Sequence, residues 1–235
     1  WGNSVFEKLD GQFSICIINK KKNKIVIARD KFGEKPLFYF INKDKIIIGS
    51  ELNIFKKFSN INFEIDNKAL KKFFVYSFVP PPLTIFKNIY KLEHATYKEI
   101  NLVNNECSTI NFYTPNVELN TQYNSEQDYI YELESIIDES VKSRLISDVE
   151  VGLFLSGGLD SSLVGHFAKK NDQTLNSFSI SIEDEELNEK NSFNFMNNHF
   201  GIKNNVIKLN SKIFNLRSEE IFKRLDEPIG APTYL

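Results

Sequence analysis

The chain has 235 residues, 41% hydrophobic and 26% charged, with a formal net charge of −2. That length and balance suit one large or two medium globular domains and exclude a disordered or fibrous chain. Acids and bases are interspersed, so the basic field that collects nucleic-acid phosphates is missing and no nucleic-acid partner is expected. No apolar run reaches the roughly 18 residues of a membrane-spanning helix. The only two cysteines, Cys16 and Cys107, have neither disulfide-framework nor zinc-knuckle spacing. The expectation is a soluble protein of a reducing cytoplasm, with no membrane partner. The opening at Trp1, without initiator methionine or lead-in, reads as an internal piece of a longer chain.

From Phe13 to Glu51, β-rich runs alternate with polar turns: FSICIIN, KIVIARD, PLFYFIN and KIIIGSE, separated by KKKN, KFGEK and KD. Short strands joined by tight turns predict an antiparallel meander. LNIFKKF and NKALKKFFVYS then place apolar residues at helical spacing, so helices are expected on one face of the sheet. The prolines of VPPPLTIF cannot donate to a ladder and predict an extended surface segment, with more short strands to about Tyr113. TPNVELNTQYN, residues 114–124, has no apolar period and reads as a linker.

Ser125, with Asp128 behind it, resembles a capping box, and Ile130, Leu133, Ile136, Ile137, Val141 and Leu145 predict an amphipathic helix. VEVGLFL is a strand with little polar content, as in a parallel sheet covered on both faces. A helix with Leu163, Val164, Phe167 and Ala168 as inner face follows it. Then come strand SFSISI, helix SFNFMNNHFG with its phenylalanines in the core, strand NNVIKLN and helix SKIFNLRSEEIFKRL. This alternation predicts a doubly wound α/β domain.

Between the first of those strands and its helix lies FLSGGLDSS, residues 154–162. A glycine-rich turn into a helix start presents backbone N–H groups backed by the positive end of the helix dipole, which suits phosphate. Ser156, Ser161 and Ser162 add hydroxyl donors, and Gly157 and Gly158 let the backbone approach a ligand. Asp160 would repel a bare anion, which implies a divalent cation between it and the phosphates. The GxxxxGK[ST] pattern is absent, so this is a different cradle. His94, His166 and His199 are isolated and show no metal spacing. The acidic run Glu183 to Glu186 reads as a solvated loop.

SGGLDSS resembles the signature of the ATP pyrophosphatase superfamily, the PP-loop enzymes, which cleave ATP between its α and β phosphates. SRLISDVEVGLFLSGGLDSS is similar to the corresponding stretch of glutamine-hydrolysing asparagine synthetase. LDGQFSICIIN, ARDKFGEKPLFYF, GSEL and VPPPLTIFKNIYKL resemble that family's glutaminase domain, and LDEPIGAPTYL fits as well. The resemblance implies an α+β glutaminase domain of the N-terminal nucleophile type, with antiparallel sheets and helices, over residues 1–113. After the linker it implies an α/β doubly wound PP-loop domain with a parallel sheet over 125–235, both truncated. It implies a ligase that frees ammonia from glutamine, activates aspartate as an acyl-adenylate with ATP and Mg2+, and releases AMP and pyrophosphate. It is compatible with a homodimer. Two other readings share the motifs: a relative that adenylates another carboxylate, such as a sugar acid or lactam precursor, and a non-catalytic nucleotide-binding paralogue.

Carried over by position, Asp10 matches the residue that binds the amino group of glutamine. Leu155, Ser156, Gly157, Gly158, Leu159, Asp160, Ser161 and Ser162 match the pyrophosphate loop and its approach, with Asp160 as magnesium ligand. Leu155 and Ile180 match positions whose backbone contacts adenine. Arg29 and Asp30 open RDKFGEKPL, which reads as scaffold beside the glutamine pocket or as a salt-bridged turn. The sequence also departs from the family. Its nucleophile is a cysteine at the mature N-terminus, which Trp1 does not match; Cys16 reads as a small core residue and Cys107 as part of a polar turn. The oxyanion asparagine and glycine and the downstream SGEGSDE-type segment lie outside these residues, so the catalytic residues are expected elsewhere and the piece alone is expected to be inactive. EHATYKE replaces a proline-glycine turn, and Glu150 stands where proline usually precedes the strand.

Overall fold

The structure is a computed structural model, and it describes residues 1–58, 61–117, 125–172, 174–182, 189–210, 219–220 and 222–230. Packing divides the chain into two compact units, Trp1–Val117 with Glu220–Leu235, and Glu118–Glu219. Residues 222–230 therefore return to the first unit.

In the first unit the elements run α1 (Val5–Lys8), β1 (Ser14–Asn19), β2 (Lys24–Arg29), β3 (Phe38–Ile41), β4 (Ile46–Gly49), a 3-10 helix (Leu52–Lys57), α2 (Asn67–Tyr76), β5 (Ile89–Lys91), β6 (Thr96–Asn101) and β7 (Cys107–Asn111). The expected single meander is two antiparallel sheets, with orders β1-β2-β6-β7 and β4-β3-β5. The reason lies in β2, which is buried on both sides. Ile25 and Ile27 pack with Leu37, Tyr39 and Leu92, while Val26 and Ala28 pack with Phe6. A strand apolar on both faces needs a layer above and below, so the turn after β2 carries the chain into a second sheet rather than beside the first. The far face of that sheet, Phe38, Phe40 and Ile47, is closed by Leu52 and Phe55. Those two are fully buried and three residues apart, the period of a 3-10 turn, and each contributes about 1.5–3 kcal/mol of burial.

Other expectations for this unit change on packing. VPPPLTIF is only partly a surface segment, because Val79 and Ile85 pack with Ala69 of α2. Asp66 caps α2 by accepting from Lys68 N–H at 2.7 Å. Cys16 is exposed rather than core, since β1 is an edge strand that exposes its last four residues.

The second unit runs α3 (Glu126–Arg144), β8 (Gly152–Phe154), α4 (Leu159–Asn171), β9 (Asn176–Ile182), α5 (Lys190–Phe200) and β10 (Lys203–Leu209), with a parallel sheet of order β10-β9-β8. Ser125 Oγ accepts the Asp128 N–H at 3.2 Å, as the sequence suggested. Val141, Leu153, Leu155, Phe167, Ala168 and Ile202 form the core. Among the described residues the sheet is wound on one side only. The strand order advances steadily, and right-handed crossovers then put both connecting helices on the same face; a doubly wound sheet needs a reversal of order. The opposite face leaves Phe154 86%, Ile180 52% and Ile207 60% exposed. Ile130, Leu133 and Ile136 of α3 are likewise exposed, and so is Phe195, whereas Phe193 is buried. The acidic run 183–186 and most of the expected helix 211–225 lie outside the described residues.

Candidate functional site

β8 ends at Phe154 while β9 continues, so the chain leaves the sheet and turns into α4 at the carboxyl edge of the parallel strands. Gly157 has φ +86° and abuts the first turn of α5: a Cβ there would lie 2.6 Å from Phe193 N and 2.7 Å from Ser192 Cβ. Both conformation and space demand glycine. Gly158 is the N-cap of α4 and supplies no side-chain cap. The N–H groups of Leu159, Asp160 and Ser161 thus open the helix without a side-chain acceptor, at its positive end.

The serines divide their work. Ser156 Oγ accepts the Gly158 N–H at 3.2 Å and lies 3.0 Å from Ser161 Oγ, which itself reaches the Gly158 carbonyl at 3.1 Å. These two brace the turn. Ser162 Oγ is buried and finds no partner among the described residues, which is the condition of a polar atom that waits for a ligand. Asp160 and Leu159 are exposed. Open N–H groups, an orphaned hydroxyl and a close-approach glycine fit a polyphosphate. One exposed carboxylate fits Mg2+, which takes few protein ligands and completes its shell with phosphate and water. Among the described residues, no three His, Cys, Asp or Glu form a metal-binding group.

Leu155 is buried, and its N–H donates to the Phe178 carbonyl at 2.9 Å. Ile180 lies two residues further along β9, beyond the last position that pairs with β8. The structure therefore gathers Leu155 and Ser156 to Ser162 at one sheet edge, with Ile180 on the neighbouring strand.

Asp10 is in the other unit, in the exposed turn before β1, and makes no hydrogen bond or ion pair with a described residue. Its carboxylate is free to meet an ammonium. Three residues on, the chain is pinned: Phe13 N–H donates to Asp30 Oδ2 at 3.3 Å, and Asp30 N–H to the Phe13 carbonyl at 3.0 Å. Asp30 also accepts from Phe32, Glu34 and Lys35 N–H. Burial alone would raise its pKa, but these four backbone bonds outweigh burial and hold it below the ordinary carboxylate value. Arg29 donates to the carbonyls of Gly33 (2.5 Å), Lys35 (2.8 Å) and Leu92 (2.8 Å). The RDKFGEK turn is thus shaped by side chain to backbone bonds, and neither residue takes part in a described ion pair.

Sequence reasoning missed a tie in LDEPIG. Asp226 Oδ1 accepts the Asn53 N–H at 3.0 Å, Glu227 Oε1 accepts the Ile85 N–H at 2.9 Å, and Glu227 forms an ion pair with Lys91. Adjacent acids before a proline were the only signal. Burial pushes the Glu227 carboxyl up despite Lys91.

Residues 1–113 match the glutamine amidotransferase domain family and residues 132–235 the asparagine synthase family. The chain belongs to the asparagine synthetase family. Asparagine synthetase [glutamine-hydrolyzing] 2 of Bacillus subtilis is 36% identical over 188 residues, 76% of this chain and 25% of that protein. A putative asparagine synthetase [glutamine-hydrolyzing] 2 of Methanocaldococcus jannaschii is 34% identical over 186 residues, 77% of this chain and 36% of the relative. Asparagine synthetase [glutamine-hydrolyzing] 1 of Bacillus subtilis is 29% identical over 225 residues, 96% of this chain and 35% of the relative. The chain thus spans about a quarter to a third of these relatives. In this asparagine synthetase family member, no helix among the described residues is long and apolar enough to cross a membrane.

Proposed function

We propose that the chain is part of a glutamine-dependent asparagine synthetase, with the glutaminase domain over 1–113, a linker over 114–124 and the synthetase domain over 125–235. In this reading Asp10 holds the α-ammonium of glutamine while its amide is hydrolysed to ammonia. Ile180, on the strand beside Leu155, offers backbone groups to the adenine of ATP, and Ser156 to Ser162 cradle the phosphates, with Asp160 on Mg2+. An oxygen of the aspartate β-carboxylate attacks the α-phosphorus and expels pyrophosphate. Ammonia then attacks the acyl carbon and expels AMP, leaving asparagine.

The observation that carries the reading is the glycine-cradled start of α4, with its uncapped N–H groups and the orphaned Ser162 hydroxyl, at the carboxyl edge of the parallel strands. Its test is the full-length protein given glutamine, aspartate, ATP and Mg2+. Asparagine, AMP and pyrophosphate are expected in equal amounts. No AMP with aspartate would refute the reading, and AMP with a different carboxylate would move the chain to another branch of the same chemistry.

A further inference from the structure

The ladder between β8 and β9 stops in an unusual way. Its last register pair is Phe154 with Phe178, and one more bond follows, from Leu155 N–H to the Phe178 carbonyl. Residues two apart on a strand present their polar groups to the same neighbour, so the next bond of a parallel ladder would run from Ile180 N–H to the Leu155 carbonyl. These two described residues do not form it. The Ser179 hydroxyl donates to that carbonyl instead, at 2.6 Å. Ser179 is 4% and Leu155 1% exposed, so water does not supply an alternative partner.

A polar chain beneath the sheet holds the hydroxyl in place. Ser177 Oγ donates to Asn197 Oδ1 at 2.5 Å, and the Asn204 amide lies 3.2 Å from both serine oxygens. Each hydroxyl has one proton, and these go to Asn197 and to Leu155. The Asn204 group that faces both serines therefore serves them when it presents its NH2 end, which also gives partners to an amide nitrogen otherwise buried without any.

We propose that Ser179 is a positioning residue: its hydroxyl takes the Leu155 carbonyl in place of the Ile180 amide, keeps β8 and β9 splayed at their carboxyl ends, and leaves the Ile180 N–H and C=O as an open donor and acceptor for the base of the bound nucleotide. The inference rests on the nucleotide-binding reading above. With phosphates anchored at the glycine turn, the direction of the base is set, and this pair then distinguishes a 6-amino from a 6-oxo purine. Losing the hydroxyl leaves the Leu155 carbonyl buried and unpaired, and the nearest remedy is to close the ladder onto the Ile180 amide, which removes the donor from the base.

The full-length protein and its S179A, S179T and S179V variants test this. Thr and Val share a shape and differ in the hydroxyl. Without nucleotide, the Ile180 amide of the wild type and S179T exchanges hydrogen about 100-fold faster than that of Phe178, and the gap closes in S179A and S179V. By calorimetry in Mg2+ buffer, S179A and S179V bind ATP about tenfold more weakly, as expected for one lost hydrogen bond, and their preference for ATP over GTP narrows. S179T stays near the wild type. A protected Ile180 amide in the unliganded wild type, or unchanged ATP affinity in S179V, overturns the role of Ser179 alone. Wild-type protein that does not bind ATP overturns the nucleotide reading as well.

Discussion

Replacing Asp30 by asparagine tests whether one buried carboxylate organises the turn beside Asp10. Asp30 is 1% exposed, with Oδ1 accepting Phe32 and Glu34 N–H at 3.1 and 3.0 Å, and Oδ2 accepting Phe13 and Lys35 N–H at 3.3 and 3.0 Å. Asparagine keeps the shape but presents NH2 in place of one oxygen, so two of the four N–H groups meet a donor. At about 1–3 kcal/mol for each unpaired buried group, D30N costs about 2–6 kcal/mol, a large share of the stability of an ordinary domain. The folded pKa lies below the ordinary value, so the carboxylate's stabilisation is complete above about pH 4 and is lost as pH falls through the folded pKa. The gap between wild type and D30N should therefore be full at pH 7 and shrink in acid. Urea unfolding followed by circular dichroism gives the gap, and hydrogen exchange of residues 32–35 locates it. A difference under about 0.5 kcal/mol at pH 7, or one that does not change down to pH 3, refutes the reasoning.

Three further changes probe other links. G157A places a Cβ against Ser192 and Phe193 at a positive φ, so it should lower the melting temperature and abolish detectable ATP binding by calorimetry. D160N removes an exposed carboxylate: the melting temperature should hold, while ATP affinity falls about tenfold with Mg2+ and does not fall without it. K91M strands Glu227, whose side chain is 12% exposed, and should cost about 3–5 kcal/mol at pH 8 in urea unfolding. Burial already raises the Glu227 pKa, so its protonated form favours the fold below the unfolded value and that advantage fades as pH rises through the folded value; acidifying K91M to pH 5 should recover part of the loss.

Much of the site was legible because it is local. The strand, the glycine pair, the serines and the helix start of FLSGGLDSS are consecutive, and a helix N-terminus binds anions through its own first-turn amides. The exposed turn that holds Asp10, in LDG ahead of β1, was legible in the same way, whereas a role for that carboxylate rests on the family resemblance. The pairings were not. Period-two alternation places residues on a strand but does not say which strand lies beside it, so a meander was expected where β2, apolar on both faces, forced a second sheet. Cys16 and Phe195 sit on strand and helix, as expected, yet on a side that no described residue covers.

The sequence by itself determined the local chemistry: which segments are strand or helix, where the chain must turn on glycine, and which helix begins with unpaired amides. Only the tertiary structure decided the long-range partners, because each depends on distance in space and not along the chain. Ser179 reaches the Leu155 carbonyl from 24 residues away, and Glu227 reaches the Ile85 amide across 142. Burial makes those partners obligatory, since a polar group removed from water must find another wherever the fold puts one.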